Sequence, residues 1–340
     1  MIGAGWFGTL ASIPALLDHP DAELVGICDT DPVRAREAAD RFGVARWFTD
    51  VETMLAAGIA DGVVVAVSQV AHYPVCRAAL DAGLHVLVEK PMVLRAVDAW
   101  DLVRRAEERN LILLVGETFH FTSVAAQVRA RLRAGAIGDL LQIVGTFNSH
   151  TERLFRGGTA MPDGRGGSYA DPRLSGGGQG HTQLSHLAGV LFWSSGLRIR
   201  EVFGYLDNRD LAVDLVDSIV GRLSNGALLS VSATGTMPAG HPPRNRLEYY
   251  GTEGAIIHDL STATADVQLP ERPTERLVLR DGEPAYPLAA PAIRFAELIA
   301  GAGTDNPAPA EAAARCVEFL DAAYLSAATG KPVGLEELAG

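Results

Sequence analysis

Through the first 115 positions, short apolar runs alternate with stretches whose apolar residues recur every three or four positions. The runs lie at residues 23–28, 62–67, 85–88 and 112–115; the second ends at Ser68-Gln69 and the others at charged or glycine residues. Continuous apolar runs of this length suit strands buried on both faces of a parallel sheet. The stretches between them, at 9–17, 32–41, 74–82 and 97–108, have helical spacing, with Pro32 near a first turn and Gly83 just past an end. Strand–helix alternation with short links predicts a doubly wound parallel sheet.

After residue 140 the pattern changes. Residues 140–147 read as a strand, and the runs 218–223 and 227–233 flank Ser224-Asn225-Gly226, a hairpin signal. A second strand–turn–strand unit follows at 246–257 around Gly251-Thr252-Glu253-Gly254. These segments predict a mainly antiparallel sheet. Residues 180–193 have the spacing of a helix. Residues 292–327 read as two helices broken at 301–309, with the tail packing back on the chain.

Composition narrows the class. A chain of 340 residues exceeds what one core normally supports, so two domains are expected. A net charge of −12 argues against nucleic acid or an anionic membrane as partner. No apolar run approaches the length of a bilayer span, and no secretory leader is visible. Cys28, Cys76 and Cys316 are scattered in apolar contexts and read as reduced core residues, which makes the cytoplasm the expected compartment.

Two stretches carry candidate chemistry. Gly3, Gly5 and Gly8, with Trp6 and Phe7 between them, form a GxGxxG pattern leading into a helix. The next strand ends at Asp29, placed to accept hydrogen bonds from an adenosine ribose. The acid favours NAD, and nearby Arg34 softens the preference against NADP. Only Met1 and Ile2 precede the loop where a strand belongs, so a longer chain with several added apolar residues is expected to be more stable. The second stretch is 85–91, where an apolar strand runs into Glu89-Lys90-Pro91. Pro91 stops the strand, leaving two charges at a carboxyl-terminal sheet edge, where ligands bind in open α/β sheets.

Together with the glycine loop and Glu89-Lys90-Pro91, several further motifs occur in one order. They are the run from Ala78 to Val86, Gly135-Ala136-Ile137-Gly138, Gly176-Gly177-Gly178 with His186 after it, and Gly251-Thr252-Glu253-Gly254. In this the chain resembles the Gfo/Idh/MocA oxidoreductases over essentially its whole length. The resemblance implies an N-terminal Rossmann domain, 1–118, and a C-terminal α/β domain, 119–340, with a large open sheet. It also implies NAD(P)-linked oxidation or reduction at a sugar or polyol carbon. A homodimer or homotetramer is expected from the open sheet.

Carried over by position, Lys90 resembles the family's active-site lysine beside the nicotinamide, with Glu89 and Pro91 as positioning neighbours. His186 falls at the usual catalytic histidine. Thr182 stands where the family usually has an aspartate that contacts substrate hydroxyls, so Lys90, Thr182 and His186 are the expected substrate contacts. Ser68-Gln69 replaces the more usual Pro-Asn ahead of His72, and these three residues join the expected cofactor contacts.

The chemistry can be divided in two ways. His186 takes the hydroxyl proton while charged Lys90 stabilises the alkoxide, or a Lys90 of depressed pKa is itself the base. Redox-neutral elimination or hydrolysis of a glycoside with NAD retained is one alternative activity; a regulator that senses NAD without catalysis is another. The glycine-rich segment 152–178 holds Arg153, Arg156, Arg165, Tyr169 and Arg173 and reads either as a surface loop or as a lid whose arginine meets a carboxylate or phosphate. His181 and His186 lack the spacing of a helical zinc pair, so His181 is expected to be structural and no metal is expected.

Overall fold

The computed structural model describes residues 1–159, 167–238 and 240–339. Its N-terminal part is a parallel sheet. Gly62–Val65, His85–Val88 and Leu113–Val115 pair side by side, and Ile27–Cys28 pairs with Trp47–Phe48. Ile2 joins the two pieces by bridging Cys28 on one side and Val65 on the other. Its N–H donates to the Val64 carbonyl at 2.8 Å, and its own carbonyl accepts from Ala66 at 2.8 Å. The run at 23–28 pairs only at Ile27–Cys28, because its partner strand is itself two residues long.

Helices Pro32–Phe42, His72–Asp81 and Ala96–Glu108 cover this sheet with their alanine- and leucine-rich faces. Val63, Val65, Val86, Val88, Leu102 and Val115 fill one side of it, and Val64, Leu87, Leu114 and Phe295 the other. Both faces are therefore apolar, which is why the strands read as unbroken hydrophobic runs.

The second sheet has nine strands. From edge to edge they are Glu275–Leu277, Thr264–Gln268, Ala255–Asp259, Arg244–Gly251, Leu140–Asn148, Leu228–Thr234, Val216–Leu223, Ile199–Asp207 and Val333–Gly334. Among the described residues only the junction of Leu140–Asn148 with Leu228–Thr234 is parallel. Asn225-Gly226 closes the hairpin: Gly226 has φ +92°, and the Asn225 side chain accepts from Ala227 and donates to the Leu140 carbonyl. One face packs on helices Ser123–Arg133, Ser185–Ser195 and Ala310–Thr329. On the other face Tyr205, Val220 and Leu228 are exposed.

Ala310–Thr329 belongs to both halves. Ala310, Ala313 and Val317 enter the core of the parallel sheet, while Phe319, Leu320 and Ala323 enter that of the second. Ahead of it, Ala308 accepts from Val115 at the edge of the parallel sheet. Among the described residues no helix is long and apolar enough to cross a membrane.

Candidate active site

The glycine loop has three different jobs. Gly3 has φ +93°, and a side chain there would run into the Ala66 carbonyl. At Gly5 the same test meets only the Ala66 oxygen at 3.9 Å, so bare backbone faces open space. A Cβ on Gly8 would collide with Met1 and lie 3.0 Å from the Gly3 oxygen, so this glycine lets the helix pack on the strand. Tight turn, close approach to a pyrophosphate and helix packing are the three roles of a dinucleotide fingerprint.

A cleft of about 880 Å³ runs from this loop past Ser68, Asp29 and Arg34, with Ser168 and Leu174 of the second domain on its wall. Asp29 accepts from the Ala4 N–H at 2.9 Å through one oxygen. Its other oxygen accepts from the Asp31 N–H at 2.9 Å and from Arg34 at 3.0 Å. The cleft, the open backbone at Gly5 and the acid at its far end fit a dinucleotide.

Past Gly5, Ala66 and Val67, which line both spaces, lies a second cavity of about 610 Å³. It holds Trp6, Phe7, Gln69, His72, Glu89, Lys90 and His186. Lys90 arrives on the end of strand His85–Val88, and the Lys90–Pro91 peptide is cis. His72 sits beneath that turn, buried, with Nδ1 2.8 Å from the Pro91 carbonyl and Nε2 3.3 Å from that of Val67. A neutral imidazole donates through only one nitrogen, and the shorter contact identifies Nδ1.

Lys90 Nζ donates to the Thr182 carbonyl at 2.7 Å, linking the first domain to the helix that carries His186. Burial lowers the pKa of Lys90, against the pull of Glu117 and Glu89 in the other direction. Burial likewise raises both carboxyls above their ordinary range, against the attraction of Lys90. Each acid is fitted against a glycine. A Cβ on Gly116 would lie 2.9 Å from both Glu89 oxygens, and one on Gly189 would lie 2.8 Å from Glu117. Gly189 is on the helix of His186, so Glu117 fills the space between that helix and Lys90.

His186 is boxed by aromatic rings: Phe119 edge-on at 5.7 Å, Phe147 stacked at 5.9 Å and Tyr286 edge-on at 6.0 Å. Its Nδ1 is buried with no hydrogen-bond partner among the described residues, which leaves Nε2 to face the cavity. Burial first, then the charge of Lys90, holds its pKa well below the usual histidine value. Both effects disfavour the protonated ring.

The structure moves one expected contact away from the cavity. Thr182 is buried in the widened helical turn Gly180–Leu184, and its hydroxyl donates at 2.5 Å to the carbonyl of Gly178, just ahead of that turn. The side chain therefore lines neither space, and the residue serves Lys90 through its carbonyl; Gln183 is the neighbour that reaches the cavity. His181 stacks on Tyr324 at 4.1 Å, and burial pushes its pKa down to about 4.

Of the glycine-rich segment, Arg165 lies outside the described residues. The rest divides between surface and site. Arg156 pairs with Glu152 and Asp210, and Arg173 with Asp171, away from the cavity. Arg153 and Tyr169 line it, and the Tyr169 hydroxyl accepts from Trp6 Nε1 at 3.3 Å, so the second domain reaches across to the glycine loop.

Sequence reasoning passed over Glu117, Phe119, Phe147 and Tyr286. Glu117 had a usable signal, since it follows strand Leu113–Val115 as Glu89 follows the strand beside it. Tyr286 had none; it lies in a turn-rich stretch after the last long strand.

Comparison with known proteins fits this geometry. Residues 1–117 match the family model described as oxidoreductase family, NAD-binding Rossmann fold, and residues 125–257 match that of the GFO/IDH/MocA C-terminal domain. D-apiose dehydrogenase of Paraburkholderia graminis is 34% identical over 138 residues, 41% of this chain and 36% of that protein, so the match spans about a third of that relative's length. D-xylose 1-dehydrogenase (NADP(+)) 2 of Haloferax volcanii is 25% identical over 343 residues, covering 99% of each chain. Among solved structures, levoglucosan dehydrogenase in complex with NADH and levoglucosan superposes with a TM-score of 0.81 at 20% identity, covering 98% of each chain. That level of identity speaks for the fold alone. With both domains matched in order around one glycine loop and one cleft, the chain belongs to the Gfo/Idh/MocA oxidoreductase family.

Proposed function

We propose that this protein is an NAD-dependent oxidoreductase acting at a secondary hydroxyl or keto carbon of a sugar, sugar derivative or polyol. The observation that carries this reading is that Lys90 and His186 line one cavity that opens directly into the dinucleotide cleft. Bound there, the dinucleotide supplies the acceptor or donor of the hydride. The chain's own residues hold the cofactor at Gly3, Gly5, Gly8 and Asp29, orient the reacting hydroxyl, and move its proton.

Of the two divisions of labour, the geometry favours Lys90 as the base. Proton uptake at His186 Nε2 would leave a cation in an aromatic box beside Lys90, with Nδ1–H unpaired. A neutral His186 instead orients the hydroxyl, while Lys90, its pKa lowered by burial, takes the proton.

The test is a panel of sugars, sugar acids and inositols incubated with NAD and with NADP, reading reduced cofactor against product. One reduced cofactor per product is expected; product without it would point to the redox-neutral alternative. Oxidation requires neutral Lys90, so its rate should rise with pH along a limb below the ordinary lysine value, and carbonyl reduction should fall along the same limb. Glu117→Gln removes a negative charge that holds the Lys90 pKa up, so the limb should move to lower pH. A limb near or below neutrality that ignores this substitution would return the base role to His186.

Cofactor choice turns on Asp29. It meets the expected ribose position while paired with Arg34, whose guanidinium also lies 3.3 Å from Asp31. Asp29→Ser removes the charge that repels a 2′-phosphate and releases Arg34 towards one. The NADP-to-NAD ratio of kcat/KM should rise by about tenfold or more, on the scale of one charge-assisted contact. An unaltered ratio would place cofactor discrimination elsewhere.

A further inference from the structure

The chain carries excess negative charge, yet an arginine on the wall of the substrate cavity has no acidic partner among the described residues. That residue is Arg153, on the short helix Glu152–Phe155. Its neighbours are paired: Arg156, nearly one turn on, forms a bidentate bond to Asp210 and another to Glu152. Arg153 donates through Nη2 to the Thr159 carbonyl at 2.9 Å, and among the described residues Nε and Nη1 make no bond of that kind.

The side chain is exposed, and its stem is backed by the turn that follows the helix. The turn after the helix closes with the Gly158 N–H donating to the Arg153 carbonyl at 2.8 Å. A Cβ at Gly158 would lie 3.0 Å from Arg153 Cγ, so the turn lies directly against the arginine stem. Phe155 anchors the helix in a small apolar cluster with Val213 and Leu215, and the Glu152 N–H donates to Gly235. Beside it, the ring of His150 is fixed by contacts of 2.8 and 2.7 Å to the carbonyls of Met237 and His241. A guanidinium on the cavity wall whose Nε and Nη1 carry no bond among the described residues offers a fork to an oxyanion.

We infer that Arg153 docks an anionic group on the substrate, so that the preferred substrate is a sugar or polyol bearing a carboxylate or phosphate away from the reacting carbon. This rests on the hydride-transfer reading of the same cavity. The cofactor's phosphates are the other source of such a group. Arg153, however, lines the cavity of Lys90 and His186 and not the adjoining cleft from the glycine loop to Asp29.

The experiment compares matched neutral and acidic substrates, such as an aldose with its uronate and with its phosphate, on the wild type and on Arg153→Gln. The acidic member should have the higher kcat/KM. The substitution should lower the acidic-to-neutral ratio about 10- to 100-fold, mainly through KM, as expected for a lost charge-assisted contact. Arg153→Lys should restore part of the ratio. A wild type that prefers the neutral member, or an equal loss on both, overturns the inference. So does a rise of tenfold or more in the Kd for NAD, read by fluorescence titration, which would give Arg153 to the cofactor. If no substrate is turned over, calorimetric binding of the uronate and the sugar phosphate to the NAD complex decides separately. Binding of either that Arg153→Gln abolishes upholds the anion site while the hydride-transfer reading falls; absence of binding overturns the inference.

Discussion

Lys90→Met should lower kcat by about four orders of magnitude or more, with the Kd for NAD within a few-fold of wild type. General-base catalysis contributes roughly 10²–10⁴, and a charge placed at a developing alkoxide about 10²–10³. Both depend on the same Nζ, so the two losses fall together. Cofactor affinity is expected to survive because the glycine loop and Asp29 belong to other strand ends. Methionine preserves most of the side-chain volume while giving up the bond to the Thr182 carbonyl. The fold should tolerate the change, since burial already pushes Glu89 and Glu117 towards their neutral forms. Lys90→Arg separates the two roles. Arginine keeps the positive charge but does not deprotonate in proteins, so it should remain nearly as inactive as methionine. A Lys90→Arg enzyme retaining a tenth of wild-type kcat would show that Lys90 acts by charge alone.

What the sequence disclosed follows the range of the forces involved. The glycine loop, the strand ending in Glu89-Lys90-Pro91 and the Asn225-Gly226 hairpin are set by neighbours within a few positions. Their residue types carry the conformation with them. The pairing of Ile2 with both Cys28 and Val65 was foreshadowed only as a strand too short to stand alone. Its structural role depends on two strands far along the chain. Thr182 shows the limit of transferring a role by position. The family position is occupied, but the hydroxyl is bonded to the Gly178 carbonyl, and the atom that meets Lys90 is the backbone carbonyl. The aromatic box around His186 draws Phe119, Phe147 and Tyr286 from three separate segments, and no periodicity within any of them announces the meeting. The helix Ala310–Thr329 was legible as a helix. Its buried Glu318, which accepts from Trp100 and pairs with Arg198, was not, because a buried acid is explained only by partners distant in sequence.

Asp214→Ala should cost about 3–5 kcal/mol of stability, more than other single polar-to-alanine changes in the second domain, and lower kcat as well. Asp214 is buried, and its carboxylate accepts from the Gly178 N–H at 2.7 Å, the Gly180 N–H at 2.7 Å and the Tyr324 hydroxyl at 2.6 Å. Its carbonyl accepts from the Gln179 N–H at 2.9 Å. A side chain on Gly178 would strike the Asp214 backbone, so the two segments are in direct contact. The carboxylate does the work of a helix cap supplied from a distant segment: it satisfies backbone donors at the start of the turn that leads into the helix of His186. Alanine leaves two buried N–H groups without acceptors, at about 1–3 kcal/mol each, and Tyr324 without its partner. Asparagine should be intermediate, because one oxygen can still accept while its NH₂ group faces a donor. Urea unfolding measures the loss, and a change under 1 kcal/mol would show that water or a shifted backbone replaces the carboxylate. The effect on catalysis follows from connectivity. Gly178–Gly180 leads into the turn whose Thr182 carbonyl receives Lys90, and four residues later the same helix presents His186. A loosened start therefore displaces both halves of the site together, and kcat should fall even under conditions where the variant remains folded.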